Sequence, residues 1–284
     1  MHYPALVGGD LYHFMSAFWG SLYAARLTNL GATATIIPLG DPREGKINAT
    51  TFTTRAGASG SAQTATWTTA PSGLATPYKL EPAVKFTDAG LHGPAGIPGV
   101  IFNGTSESLS IPDATYWTRL AASAGSWAAW IVDTDSAASR DIFDKYDNAD
   151  QREWVLQVDA DDKLNLYMYD ETADAAIFRT SDAVVSPGVP LHVCATYDGA
   201  TDANATVLYV NGVAFASTAG SSGVFVTMRN TTSLVTVGAA ITPASYFTGT
   251  IFGGPLGPAY VQAQLTATQV AEDYKLGRYA LGLG

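Results

Sequence analysis

An Asn211-Gly212 pair lies between two runs of alternating apolar residues, Thr-Val-Leu-Tyr-Val at 206–210 and Val-Ala-Phe-Ala at 213–216. Asn-Gly accepts positive φ at both central positions of a type I′ turn. The twist of that turn matches two right-twisted antiparallel strands, so the segment is predicted to be a hairpin. A second hairpin is expected where 155–158 and 164–169 flank the turn Asp161-Asp162-Lys163. Further strands are expected at 108–111, 127–132, 192–197, 224–228, 234–237 and 260–265. Many short strands punctuated by Gly, Pro and Asp define an antiparallel β-sandwich or barrel.

The part before residue 100 reads differently. Asp10 is placed to cap a helix whose apolar positions Leu11, Phe14, Met15, Phe18, Leu22 and Ala25 follow three- and four-residue steps, with Gly31 as its stop. Trp19, Tyr23 and Leu27 widen that stripe, and so much apolar surface has to be covered by something. Leu11, Phe14, Met15, Phe18, Trp19, Leu22 and Tyr23 are therefore expected to bind a partner, in preference to folding back onto their own chain. Residues 1–40 are assigned as an anchor or oligomerisation segment. Residues 41–99, rich in Thr, Ala, Gly and Pro, read as an extended, strand-poor arm, and 100–284 as the β domain. Thr266 and Gln269 form a capping box for one short helix up to Gly277.

Several runs resemble the laminin G-like, concanavalin A-like jelly-roll family. They are Phe102-Asn103-Gly104 with Leu109-Ser110-Ile111-Pro112, then Ser126-Trp127-Ala128-Ala129-Trp130-Ile131. His192-Val193-Cys194-Ala195-Thr196-Tyr197-Asp198-Gly199 and Leu208-Tyr209-Val210-Asn211-Gly212 follow. The set closes with Tyr246-Phe247-Thr248-Gly249-Thr250-Ile251, Tyr260-Val261 and Leu265-Thr266. The resemblance implies an all-β, two-sheet antiparallel jelly roll, preceded here by a helix and an arm. Pro190 stands where that family commonly has Trp, and Phe252-Gly253 where an acidic pair usually follows Ile251, so calcium or ligand chemistry does not transfer automatically with it. The expected cofactor is none, with calcium as the alternative.

Charge narrows the function. The net charge is −10, and residues 133–182, with fourteen acids against five bases, supply −9 of it. Such a balance argues against nucleic acid, whose binders displace counterions with Lys and Arg. The run 11–30 is broken by His13, Ser16, Ser21 and Arg26, so no membrane span is expected. The residues at 1–7 lack a basic, signal-like start. One cysteine, Cys194, excludes a disulfide framework and reads as a core thiol. The six Glu, at 44, 81, 107, 153, 171 and 272, never approach the Glu-x-Asp-x-x-Glu spacing of retaining glucanases, so no catalytic residue is assigned. The four His never take metal-ligand spacing, and the acids Asp133, Asp135, Asp144, Asp147 and Asp150 do not form an EF-hand loop, so no metal site is assigned. The acidic region does hold Asp144, Tyr146, Asp147 and Asn148 as candidate ligand-loop residues, with Trp154, Tyr167 and Tyr169 as aromatic faces that could stack on sugars.

The layout of apolar helix, Thr-rich arm and lectin-like module resembles phage decoration and fibre proteins that carry laminin G-like domains. The expectation is a non-enzymatic display protein of a bacteriophage virion, made in the host cytoplasm and carried on the capsid or tail surface. Its expected partners are other virion proteins or further copies of itself, and cell-surface glycans. The alternatives are a carbohydrate-binding module of a bacterial surface protein, with an extracellular location, and a polysaccharide-cleaving enzyme, which the carboxylate census disfavours.

Overall fold

Every residue of β7 (Gly125–Asp133) is buried, and the first sheet is assembled around it. The computed structural model describes residues 9–39, 51–69, 99–120, 123–135, 138–147, 150–240 and 245–283, with 9–18, 52, 68 and 69 described by their backbone. On one side of β7 lie β12 (Leu191–Tyr197), β13 (Thr206–Val210) and β14 (Val213–Ala214). On its other side the first half pairs with β18 (Ala259–Val261), which leads on to β1 (Ala34–Ile36) and β3 (Arg55–Ala56). The second half pairs with β17 (Thr248–Phe252), which carries β5 (Gly99–Asn103). The second sheet runs β15 (Ser217–Ser222), β11 (Ala175–Ser181), β10 (Leu164–Asp170), β9 (Gln151–Val158), β8 (Arg140–Asp147), β16 (Val235–Val237), β6 (Ser108–Ile111), β4 (Thr64–Thr69) and β2 (Thr51–Thr53). All recorded strand pairs are antiparallel, as the turn chemistry requires. Asn211 and Gly212 both take positive φ, the I′ signature.

Three layers result. Trp127, Ala129 and Ile131 of β7 face Phe143, Trp154, Leu156, Leu166 and Met168 of the second sheet and form the inter-sheet core. The alternate residues Ala128, Trp130 and Val132 point the other way and are covered by two helices, α1 (Gly9–Leu30) and α2 (Ala267–Leu281). This explains why β7 reads as a continuous apolar run: both of its faces are buried. Gly277 allows the close approach of α2, because a Cβ there would collide with the Trp130 ring. Tyr274 stacks on the same indole, with centroids 5.6 Å apart.

Several expectations need correction. The 51–69 part of the supposed arm contains strands, and 34–36 and 51–69 between them contribute to both sheets, so the sandwich begins well before residue 100. The stretch 224–228 is not a strand. Its Val226 and Thr227 amides are taken by the Asp170 Oδ2, each at 3.1 Å, while Phe225 and Met228 pack into the core. The last helix does not stop at Gly277; it ends at Leu281, with Gly282 in the left-handed conformation. Its capping box is formed as expected, Thr266 Oγ1 accepting from the Gln269 amide at 3.2 Å and Gln269 Oε1 from the Thr266 amide at 3.0 Å.

Trp19, Leu22 and Tyr23, expected to face a partner, are buried in the chain itself. Leu22 packs with Trp130, Phe252, Leu256 and Leu281, and Tyr23 with Ala34, Cys194 and Val261. The reason is the outer face of the first sheet, whose small and aromatic residues need an apolar cover that α1 supplies. Leu11, Phe14, Met15 and Phe18 lie on α1, but their side chains fall outside the described residues. No helix among the described residues is long and apolar enough to cross a membrane.

Candidate functional site

The back of the first sheet lies under two helices, and the candidate site is on the face of the second sheet turned away from the inter-sheet core, where Thr236, Asp144 and Val155 are buried and the aromatic residues half-buried. Its registers define one row across eight strands: Thr66, Ser110, Thr236, Asp144, Val155, Tyr167, Phe178 and Gly220, each opposite the next. Strand alternation puts Tyr169 on the same face two residues from Tyr167. Tyr146 joins them from β8, its ring 5.6 Å from that of Tyr169. Tyr169 stacks beside Tyr167 at 6.0 Å, and Tyr167 on Phe178 at 4.9 Å. Gly220 lets Phe178 lie down over β15, since a Cβ at that position would run into the ring. Four half-buried aromatic rings thus form a continuous band from β8 to the sheet edge.

Two carboxyls sit beside the band. Asp144 belongs to the row itself, and Asp141 lies opposite Gln157, on the same face. Three residues apart on a regular strand, they would point to opposite faces. A β-bulge between Asp141 and Phe143 admits Ile142 as an extra core residue and returns both acids to the outer face. Both are buried. Thr236 Oγ1 donates to Asp144 Oδ1 at 2.6 Å, and the Ala240 amide donates to Asp141. Asp144 Oδ2 and Asp141 Oδ1 have no hydrogen-bond partner. Burial pushes the Asp141 carboxyl up to about 8. Burial, together with the neighbouring Asp141 charge, pushes Asp144 well above the carboxylate range.

The charged groups nearby are otherwise paired. Lys145 faces the interior by alternation, opposite Trp154, and a second bulge between Lys145 and Tyr146 admits Glu153 as an extra residue beside it; the two form an ion pair that Thr231 completes by donating its amide to Glu153 at 2.7 Å. Arg140 is held by Asp133 at 2.8 Å and Asp162 at 2.7 Å. Arg152 lies over the Tyr169 ring at 5.1 Å and is engaged by Glu171 and by Asp174 at 3.1 Å.

Of the four residues expected to form a ligand loop, Asp144 and Tyr146 are together on the β8 face. Asp147 is the last residue of that strand, and Asn148 lies outside the described residues. Tyr167 and Tyr169 join the face, but Trp154 does not: it is buried between the sheets, its Nε1 donating to the Trp117 carbonyl at 2.9 Å. Asp141, Phe178 and Thr236 escaped the sequence reading. Period-two alternation from Tyr167 through its hairpin partner would have reached Phe178, whereas nothing in the sequence marks the bulge that redirects Asp141. Among the described residues no group of three or more His, Cys, Asp or Glu is arranged to hold a metal ion.

A lectin-like sandwich with an aromatic, carboxyl-bearing face is the class this geometry defines. Residues 103–252, half of the chain, match the family model described as the concanavalin A-like lectin/glucanases superfamily, and the chain belongs to that family. No curated protein sequence matches it. Solved structures align with the chain at low identity. A Trypanosoma rangeli sialidase in complex with 2,3-difluorosialic acid aligns at 11% identity and TM-score 0.52, over 97% of this chain and 40% of that one. The Ruminococcus gnavus IT-sialidase CBM40 bound to alpha2,3 sialyllactose aligns at 14% and 0.42, over 54% and 83%. The binding domain of Paraclostridial Mosquitocidal Protein 1 aligns at 13% and 0.42, over 64% and 48%. The chain thus spans under half of that toxin domain, and likewise 42% of the botulinum neurotoxin serotype G binding domain.

Proposed function

We propose that the chain is a non-catalytic carbohydrate-binding module whose ligand lies on the outer face of the second sheet. The observation that carries this reading is the band Tyr146, Tyr169, Tyr167 and Phe178 beside the buried, unpartnered oxygens of Asp141 and Asp144. Ligand sites combine an apolar, aromatic surface with a few placed polar groups, and a sugar ring offers the complement, C–H faces for the rings and hydroxyl donors for the carboxyls. Family membership supports the reading. Its non-catalytic part is supported by the lack of a glucanase carboxylate motif.

The virion setting, with the module displayed from a capsid or tail, is the finer part of the proposal and rests on the layout of helix, Thr-rich stretch and lectin-like module. A glycan array with the full chain tests the module. Saturable binding that is lost in Tyr167→Ala, with no release of reducing sugar from bound polysaccharide, is expected. An empty array, or turnover of the bound glycan, overturns it. Electron microscopy of the material in which the protein occurs tests the setting.

A further inference from the structure

We propose that Asp141 and Asp144 form a receptor for a protonated amine, so that this face selects sugars carrying a free ammonium over neutral and acidic ones. The inference rests on the glycan-binding reading above and names its ligand class.

Of the other buried carboxylates of the described residues, Asp133, Glu153 and Asp273 are each paired with a cation, and Glu107 and Asp170 accept backbone amides, as Asp141 does from Ala240. What sets Asp141 and Asp144 apart is that two such acids without a cation lie beside each other. Asp141 and Asp144 have no cation, and each keeps one oxygen unpartnered and buried. A buried carboxyl left so is costly unless something compensates it. A proton compensates in the free protein. An ammonium brought between the two does so better, because its three N–H donors reach the unpartnered oxygens and its charge removes the repulsion that keeps both from ionising. The surroundings suit a cation. The Tyr146 and Tyr169 rings lie within the field of Asp141, and aromatic π-faces attract positive charge. The same surroundings disfavour an acidic sugar. Arg152 is the guanidinium over the band, and Glu171 and Asp174 already occupy it.

The test is calorimetric titration of the full chain at physiological salt, where long-range attraction to its net negative charge is screened. The probes are tetraglucosamine, its N-acetylated counterpart chitotetraose, tetragalacturonate and tetralysine. Wild type is expected to bind tetraglucosamine about tenfold or more tighter than chitotetraose and to ignore tetragalacturonate. Asp144→Asn and Asp141→Asn, isosteric with the protonated acid, are expected to erase that preference while chitotetraose binding persists, and Tyr167→Ala to weaken both sugars. Equal binding of the two sugars, lost in Tyr167→Ala, overturns the amine receptor and leaves the glycan module standing. Tetralysine bound as tightly as tetraglucosamine, with no effect of Tyr167→Ala, overturns it in favour of unspecific acidity. No sugar binding at all overturns both readings.

Discussion

Arg26 of the first helix and Asp273 of the last are locked together, Nε to Oδ1 at 2.7 Å and Nη2 to Oδ2 at 3.1 Å, across 247 positions of sequence. Both are fully buried. The remaining Arg26 donors go to the carbonyls of Pro255 and Gly257, and His192 Nε2 meets Asp273 Oδ2 at 3.1 Å. The pair therefore joins both helices to the sheet they cover.

Asp273→Asn or Arg26→Met is expected to cost roughly 3–5 kcal/mol, since either leaves its partner charge buried and alone. Burial alone would raise the Asp273 carboxyl, but Arg26 and His192 outweigh it and hold it below the usual carboxylate range. A carboxylate depressed in the folded state contributes stability that is present above its unfolded pKa, near 3.8, and is lost as pH falls toward the folded value. Denaturant melts at several pH values check both claims: the wild type loses stability below about pH 4 more steeply than Asp273→Asn.

Removing residues 1–40 is expected to unfold the protein. The deletion takes away Arg26, the Leu22 and Tyr23 cover and strand β1, and it bares Trp130 and Cys194. A truncated chain that still melts cooperatively by circular dichroism would show that the sandwich does not need this cover.

The strands at 108–111, 127–132, 155–158, 164–169, 192–197 and 206–210 were legible because alternation and turn residues are local signals, and the Asn211-Gly212 hairpin and the Thr266 capping box are where they were expected; β8 and β11, whose runs mix charged and apolar residues, were not read as strands. What could not be read is non-local. Whether Leu22 and Tyr23 face a partner or their own sheet depends on the unpaired back of β7. The Asp141–Asp144 pair depends on a bulge whose extra residue, Ile142, looks like any other strand residue. Arg26 reads as a blemish in an apolar helix until Asp273, nearly the whole chain away, is placed beside it.

Gly220→Val is expected to disturb the ligand face without disturbing the fold. The new side chain occupies the place of the Phe178 ring, which must lift and break its 4.9 Å stack on Tyr167. Aromatic contacts of this kind are worth about 0.5–1.5 kcal/mol beyond area burial, so binding of a glycan identified on the array should weaken roughly 2–10-fold. The melting temperature should move little, because β15 is an edge strand. Unchanged affinity would remove Phe178 from the site.

Calcium is expected to leave the melting temperature unchanged. Apart from the Asp141–Asp144 pair, whose two carboxyls are too few for a calcium shell, the acids of the 133–182 region named here are distributed among separate partners: Asp133 and Asp162 on Arg140, Glu171 and Asp174 on Arg152, and Asp159 accepting from the amides of Asp161 and Lys163, each at 2.9 Å. A ligand bound only by the folded state raises its stability by mass action, so a melt that shifts upward in millimolar calcium but not magnesium would contradict this.

Asp141 should give the opposite pH trend to Asp273. Burial holds its carboxyl at about 8 in the folded protein against an ordinary value of 3.8. Between those values the folded state keeps a proton that the unfolded chain has released, so stability falls as pH rises through the window. Asp141→Asn reproduces the shape of the protonated acid and titrates nothing. It should therefore melt like the wild type near pH 4 and be more stable near pH 8, by roughly 1–3 kcal/mol, the cost of an unsatisfied buried polar group. For a chain of this size each kcal/mol corresponds to a shift of about 2–4 °C. The amide keeps the Asp141 position polar but removes its charge, so Asp144 should also lose the repulsion that raises it and titrate lower. Thermal melts of wild type and Asp141→Asn across this range decide the matter: parallel curves at all pH values would mean that Asp141 is ionised throughout, with a partner that compensates it.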